Sequence, residues 1–205
     1  VPKPLLIGSG NRGKAAELAE LLRDLDWEVK SLADFPKVDE PIEDADTFEG
    51  NALKKAAYYS ELFGIACIAD DSGLVVDALN GAPGIYSARY AGPECDDARN
   101  REKLLAALKG IPTESRTARF VCCAVFIEPG SEPHLEKGAV EGHIAFKCKG
   151  VLGFGYDPLF IPEGFDATFG EIDPAQKHSV SHRGRALRKL CAYLESLREN
   201  RGANA

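Results

Sequence analysis

"PLLIGSGNRGKAAEL", Pro4 to Leu18, passes from an apolar run through a glycine-rich turn into residues at helical spacing. Pro4 to Ser9 reads as a short buried strand ending in a turn. Ala15, Leu18, Ala19, Leu21, Leu22 and Leu25 then recur on one helical face. Strand, turn and helix in that order open an α/β fold, and the helix start leaves unpaired N–H groups where a phosphate can sit. Two nucleotide motifs overlap here. Gly8, Gly10 and Gly13 spell G-x-G-x-x-G, while Gly8, Gly13 and Lys14 spell G-x4-G-K. A Walker A loop continues into Ser or Thr, whose hydroxyl ligates magnesium, and this chain has Ala15. A dinucleotide site needs an acidic residue about 20 positions on, and Glu28 and Asp34 are only loosely placed for that role. Neither motif fits. A phosphate contact through Ser9, Asn11 and Lys14 stands against a plain glycine turn with a solvated lysine.

Outward from that stretch, "WEVKSL" (Trp27 to Leu32) alternates like a second strand. The acidic "DFPKVDEPIEDAD" (Asp34 to Asp46) reads as a loop with few apolar anchors, a candidate mobile segment. Thr47 opens a helix with Glu49 and Glu61 outside and Ala52, Ala56, Ala57 and Leu62 inward. "IACIADD" and "GLVVDAL" read as two strands flanking Ser72-Gly73, and Asp96 to Leu108 as a helix. "ARFVCCAVFIEP" and "HLEKGAVEGHIAF" form a hairpin across a Pro/Gly turn. "GVLGFGYDPLFIPEGF" is expected to be a loop, and Arg183 to Asn200 the closing amphipathic helix. The order predicts one domain over residues 1–205, α/β in class, with a mixed sheet and helices on its faces.

A length of 205 residues suits one substantial core. The formal net charge of −7 argues against a sequence-independent grip on nucleic acid, which needs a broad basic surface. It leaves room for a phosphorylated small molecule in a local basic pocket. The chain lacks the run of about 18 apolar residues that a membrane span requires. Its first residues lack the charged and apolar regions of a signal peptide, so a cytoplasmic address is expected. The six cysteines (Cys67, Cys95, Cys122, Cys123, Cys148 and Cys191) make no C-x-x-C, so buried reduced thiols are expected, with no zinc site.

The chemistry concentrates in three places. "IADDSG" puts Asp70 and Asp71 at the carboxyl end of an apolar strand, the edge where α/β sheets bind ligands. Side chains alternate along a strand, so the two carboxylates point apart. The alternative is a polar turn. Glu43 in the acidic loop offers a second oxygen donor, and two carboxylates plus substrate phosphates are a usual way to hold magnesium. "QKHSVSHRGRALRKL" crowds Lys177, His182 and Arg183 before or at a helix start, where a solvated face explains them poorly. "GFGYDP" (Gly153 to Pro158) supplies aromatics and an aspartate suited to a base, although such turns are common. No Ser or Cys has an evident activating His, which disfavours a covalent nucleophile.

"SGNRGK", "TFEGNALKKA", "IADDSGLVVDALNGAPGIYSARYAG", "GFGYDP" and "SHRGRAL", in this order over nearly the whole chain, resemble the inosine triphosphate pyrophosphatases. The resemblance implies a two-lobed α/β fold around a central substrate cleft, usually a homodimer. It also implies magnesium-dependent hydrolysis of ITP, dITP and XTP to the monophosphate and pyrophosphate. Residue by residue, it implies that the loop Ser9, Gly10, Asn11, Arg12, Gly13 and Lys14 holds the triphosphate, helped by Lys55 and Lys177. Glu43 and Asp71 would hold Mg2+, with Asp71 also the base that activates water and Ser72 beside it. Phe154, Gly155, Tyr156 and Asp157, with His182 and Arg183, would enclose the base. Two rival readings are a pyrophosphatase of another modified nucleotide pool and a nucleotide-binding regulatory module without turnover. Asp71 disfavours the module, since binding alone needs no base beside a metal.

Overall fold

The computed structural model describes residues 2–23 and 27–202, without the side chains of Arg12 and residues 198–202. Leu25 of the predicted first helix, and the side chain of Arg12, lie outside the described residues. The elements are β1 (Lys3–Ile7), α1 (Arg12–Leu22), β2 (Trp27–Ser31), α2 (Phe48–Phe63), β3 (Ala66–Val76), α3 (Asp97–Ala107), β4 (Thr117–Ile127), β5 (His134–Ile144), β6 (Phe160–Pro162), α4 (Pro174–Val180) and α5 (His182–Gly202). The strands form a single sheet in the order β2-β1-β3-β4-β5-β6. β1 runs parallel to β2, Lys3 facing Trp27, and parallel to β3, Ile7 facing Ile68. β6 is antiparallel to β5, Ile144 facing Phe160. The mixed α/β sheet expected from the sequence is therefore the fold.

The chain divides into two compact units. The first comprises the residues through Asp71, Cys123–Gly138 and those from Arg183 onward. In it, Leu5, Leu6 and Ile7 are all buried, as a strand covered on both faces requires. α2 is capped by Thr47, whose side chain accepts the Gly50 N–H, and ends at Gly64 with φ +66°. Its buried face is Asn51, Ala52, Ala56, Tyr59 and Ser60. That phase turns Leu62 outward, 47% exposed, against the sequence expectation.

The second unit comprises Ser72–Cys122 and Ala139–His182. Its core joins Leu74, Val76, Leu104, Phe120, Phe160 and Phe169. Three details depart from the sequence reading. β3 continues through Ser72 and Gly73 as one strand, beyond the end of its pairing with β1 at Ile68. The segment expected to be wholly loop contains β6, whose three residues are buried at the sheet's edge, where a proline is tolerated. Lys177 lies on a separate short helix, α4, started by Asp173, which accepts the Ala175 N–H, with proline in the first turn.

Cys67, Cys122 and Cys123 are buried, and burial pushes the Cys67 and Cys123 thiols up to about 12. Cys95 and Cys148 are exposed, unlike the uniform burial expected.

Candidate active site

The predicted residues fall into two groups, one on each unit. In the first unit, β1 ends at Ile7 and the Gly8 N–H bonds the Ile68 carbonyl at 2.8 Å, level with the last β1–β3 pair. A Cβ at Gly8 would lie 2.9 Å from both Cys67 Sγ and Tyr59 Cδ2, so only glycine fits. Gly8→Ala is expected to destabilise the protein by ~1–3 kcal/mol through overpacking, readable as a lowered denaturation midpoint.

The turn then organises itself. Ser9 Oγ accepts the Asn11 N–H at 3.3 Å, and Asn11 Oδ1 caps α1 by accepting the Lys14 N–H at 3.1 Å. No acidic residue lies in the first turn of α1, so the positive helix end is not neutralised from within. Gly10 and Gly13 belong to this turn and the first α1 turn.

Asp70 and Asp71 follow two and three residues beyond Ile68, past the end of the β1 pairing. The sequence expectation of a strand end is met in a different way: β3 does not stop here, but its parallel partner does. The two carboxylates have opposite surroundings. Asp70 is 1% exposed. Lys14 Nζ lies 3.4 Å and Arg183 Nε 3.3 Å from its Oδ2. Burial alone would raise its pKa, but Lys14, Arg183 and Lys55 hold it well below the usual carboxylate range. Asp71 is pushed the other way. Burial raises it and the Glu43 charge adds to the rise, outweighing Lys14, Lys55 and the Asn51 bond. The surroundings thus drive the two neighbouring carboxylates in opposite directions.

Lys55 links these groups. Its Nζ is 2.5 Å from Glu43 and donates to the Asp70 carbonyl at 3.2 Å. Burial opposes its charge, yet Glu43, Asp70 and Asp71 raise its pKa. Sequence reasoning does not single out Asn51 or Glu17. Asn51 donates to Asp71 Oδ2 at 3.2 Å and accepts the Ala45 N–H at 2.9 Å, tying the acidic loop to the carboxylate. Glu17 accepts from Arg183 Nη1 at 2.6 Å. For Asn51 the available signal was a polar residue on a largely apolar helix face, whereas Glu17 shares its face with Lys14 and Glu20 and carried no such signal.

In the second unit, Ser72 continues β3 after Asp71. The Asp157 carboxylate accepts the Phe154 N–H at 2.8 Å and pairs with Lys177 Nζ at 2.8 Å. That ammonium also lies 4.9 Å from the Phe154 ring centre and 5.8 Å from that of Phe169. Lys177 is thus engaged with the Phe154 turn. Tyr156 is buried, its hydroxyl donating to the Ser87 carbonyl at 2.8 Å. The His182 ring stacks on Phe120, centroids 4.7 Å apart, inside the aromatic core.

A strand that turns through glycines onto an Asn-capped helix N-terminus, with lysines and carboxylates gathered beside it, is an arrangement of the α/β class. The chain belongs to the Ham1 family, whose model matches residues 5–193. It is 48% identical to the dITP/XTP pyrophosphatase of Desulforamulus reducens over 94% of this chain and 96% of that one. With the dITP/XTP pyrophosphatase of Haemophilus influenzae the identity is 49%, over 93% and 98% of the two chains. The solved structure of the Staphylococcus aureus Ham1 protein matches with a TM-score of 0.85 at 40% identity, covering 95% of this chain and 99% of that one. The resemblance carried by the five ordered sequence blocks is thus a family membership.

Proposed function

We propose that the chain hydrolyses the triphosphates of deaminated purines (ITP, dITP and XTP) to the monophosphate and pyrophosphate, removing them from the nucleotide pool. The observation that carries this is the gathering of Asp70, Asp71 and Glu43 with Lys14 and Lys55 beside the glycine turn, Lys14 Nζ 3.4 Å from Asp70 and Lys55 Nζ 2.5 Å from Glu43. The N–H groups opening α1, with Lys14 and Lys55, offset the charge of the triphosphate. Ser9, Gly10, Asn11, Arg12 and Gly13 shape the loop that receives it. Asp71 takes the proton of the water attacking the α-phosphorus, and the bond to the bridging oxygen breaks so that pyrophosphate leaves. Asp70 keeps Lys14 in place.

Among the described residues, no three His, Cys, Asp or Glu side chains gather into a metal cluster. Glu43 and Asp71 nonetheless suit Mg2+, because both offer hard oxygen donors and the Glu43 charge raises Asp71 even with Lys55 beside them. Such an ion, when bound, supplies charge stabilisation at phosphoryl oxygens.

We assign base recognition to the Phe154–Asp157 turn with His182 and Arg183. In this scheme buried Tyr156 anchors the turn, and Lys177 is grouped with it through Asp157. Residues 1–205 are proposed to work as one domain, as a homodimer in the cytoplasm, with no nucleic-acid partner. Among the described residues no helix is long and apolar enough to cross a membrane.

Incubation with ITP and magnesium, followed by phosphorus NMR, should yield IMP and pyrophosphate. IDP with orthophosphate overturns the reading. A panel of other modified nucleotides in the same assay separates it from a different pool, and absence of any turnover from a regulatory module.

A further inference from the structure

Gly155 is gripped from outside its own turn. The turn closes through the Asp157 N–H donating to the Phe154 carbonyl at 3.2 Å. Gly155 occupies its second position with φ +58°, in the left-handed region that favours glycine. Two α3 side chains reach the two polar groups of this one residue. Asp97 Oδ2 accepts the Gly155 N–H at 2.7 Å, and Arg101 Nη1 donates to the Gly155 carbonyl at 2.7 Å. Asp97 and Arg101 are one helical turn apart and share a face, so α3 offers a matched acceptor and donor. Of the turn's two aromatic rings, Tyr156 is buried, while Phe154 is only partly covered. Phe154 is therefore the ring that the grip on Gly155 presents.

We infer that Asp97 and Arg101 are positioning residues for base recognition: by holding Gly155 on both its N–H and C=O, they set the direction in which the Phe154 ring faces a purine. This rests on the nucleotide reading proposed above. Glycine has the widest backbone freedom of any residue, so a turn built on it keeps one orientation only if something outside holds it. Neither Asp97 nor Arg101 belongs to the phosphate loop or the Asp70–Asp71 pair. Loss of the grip therefore weakens recognition of the base and leaves the bond-breaking step alone.

The test compares wild type with Asp97→Ala, Asp97→Asn, Arg101→Ala and Phe154→Ala, using ITP as substrate and inorganic tripolyphosphate as a base-free competitor. Asp97→Ala and Arg101→Ala should each raise KM for ITP by about tenfold, the scale of one charge-assisted hydrogen bond, with kcat little changed. Inhibition by tripolyphosphate should not change. Asp97→Asn retains an acceptor oxygen and should behave nearly as wild type. Adding Asp97→Ala to Phe154→Ala should raise KM no further, since both act through one ring. If Phe154→Ala raises KM but the α3 variants do not, the positioning role is overturned while the base reading stands. A fall in kcat, weaker tripolyphosphate inhibition, or a lowered melting temperature at wild-type KM overturns it equally. If Phe154→Ala leaves KM unchanged, the base reading itself fails and takes the inference with it.

Discussion

Asp71→Asn should reduce ITP hydrolysis by more than the ~10²- to 10⁴-fold typical of losing one acid–base group. The excess arises because the same oxygens are proposed to hold the cation, so a single substitution removes a proton acceptor and a ligand together. The fold should survive. Asn preserves the shape of the side chain, and the Asn51 amide that donates to Asp71 can be met equally by an amide oxygen. Asp70→Asn is expected to behave differently. It removes the anion between Lys14 and Arg183 at a position 1% exposed. Breaking one member of a buried charge network costs about 3 kcal/mol or more, so stability falls further than with Asp71→Asn. Activity falls less, because no proton passes through Asp70. Steady-state turnover and chemical denaturation of both variants decide the matter. Equal and mild losses of activity would show that the two carboxylates have not been told apart correctly.

Arg183→Ala carries the second large effect. The guanidinium is 2% exposed and spans two carboxylates, Asp70 through Nε and Glu17 through Nη1. Truncation leaves both short of a partner, and a loss of ~3–5 kcal/mol is expected in urea unfolding. Arg183→Lys restores charge without the planar fork and should recover only part of it. The consequence for specificity follows from the base chemistry. Hypoxanthine and xanthine carry a carbonyl at position 6 where adenine carries an amino group, and Arg183 only donates hydrogen bonds. A buried donor set against another donor discriminates by up to ~10⁴- to 10⁵-fold. Arg183→Ala should therefore lower ITP turnover sharply and narrow the gap between ITP and ATP. GTP shares the carbonyl, so its discrimination should change less. An ITP-to-ATP ratio equal to wild type would limit Arg183 to anchoring Asp70 and Glu17.

Local order was legible where local forces decide it. The Pro4–Leu18 stretch is a strand, turn and helix because apolar spacing, glycines and an Asn cap act within a few residues of one another. Thr47 and Asp96 were readable as helix starts for the same reason: each accepts an N–H three residues on. Long β4 was readable because its apolar content is sustained, and β5 because a Pro/Gly turn joins it to β4. Errors arose where neighbours in space overrule the local pattern. Ser72-Gly73 looks like a turn, yet β3 runs through it as one strand of a six-stranded sheet. Phe160–Pro162 looks like loop, yet β5 supplies an edge to pair with.

The sequence by itself determined the α/β class, the phosphate-type turn and the identity of the carboxylates, because these depend on spacing and residue type. Only the tertiary structure decided what each charged group does. Asp70 and Asp71 are adjacent and chemically identical, and no local rule says that one carboxyl is pushed down and the other up. That difference comes from Arg183, 113 positions from Asp70 and brought to it by the fold, and from Glu43, whose charge raises Asp71. Asn51 and Glu17 acquire their parts in the same way, through partners distant in sequence. Electrostatic environment depends on distance and burial in three dimensions, and neither quantity is written in the order of residues.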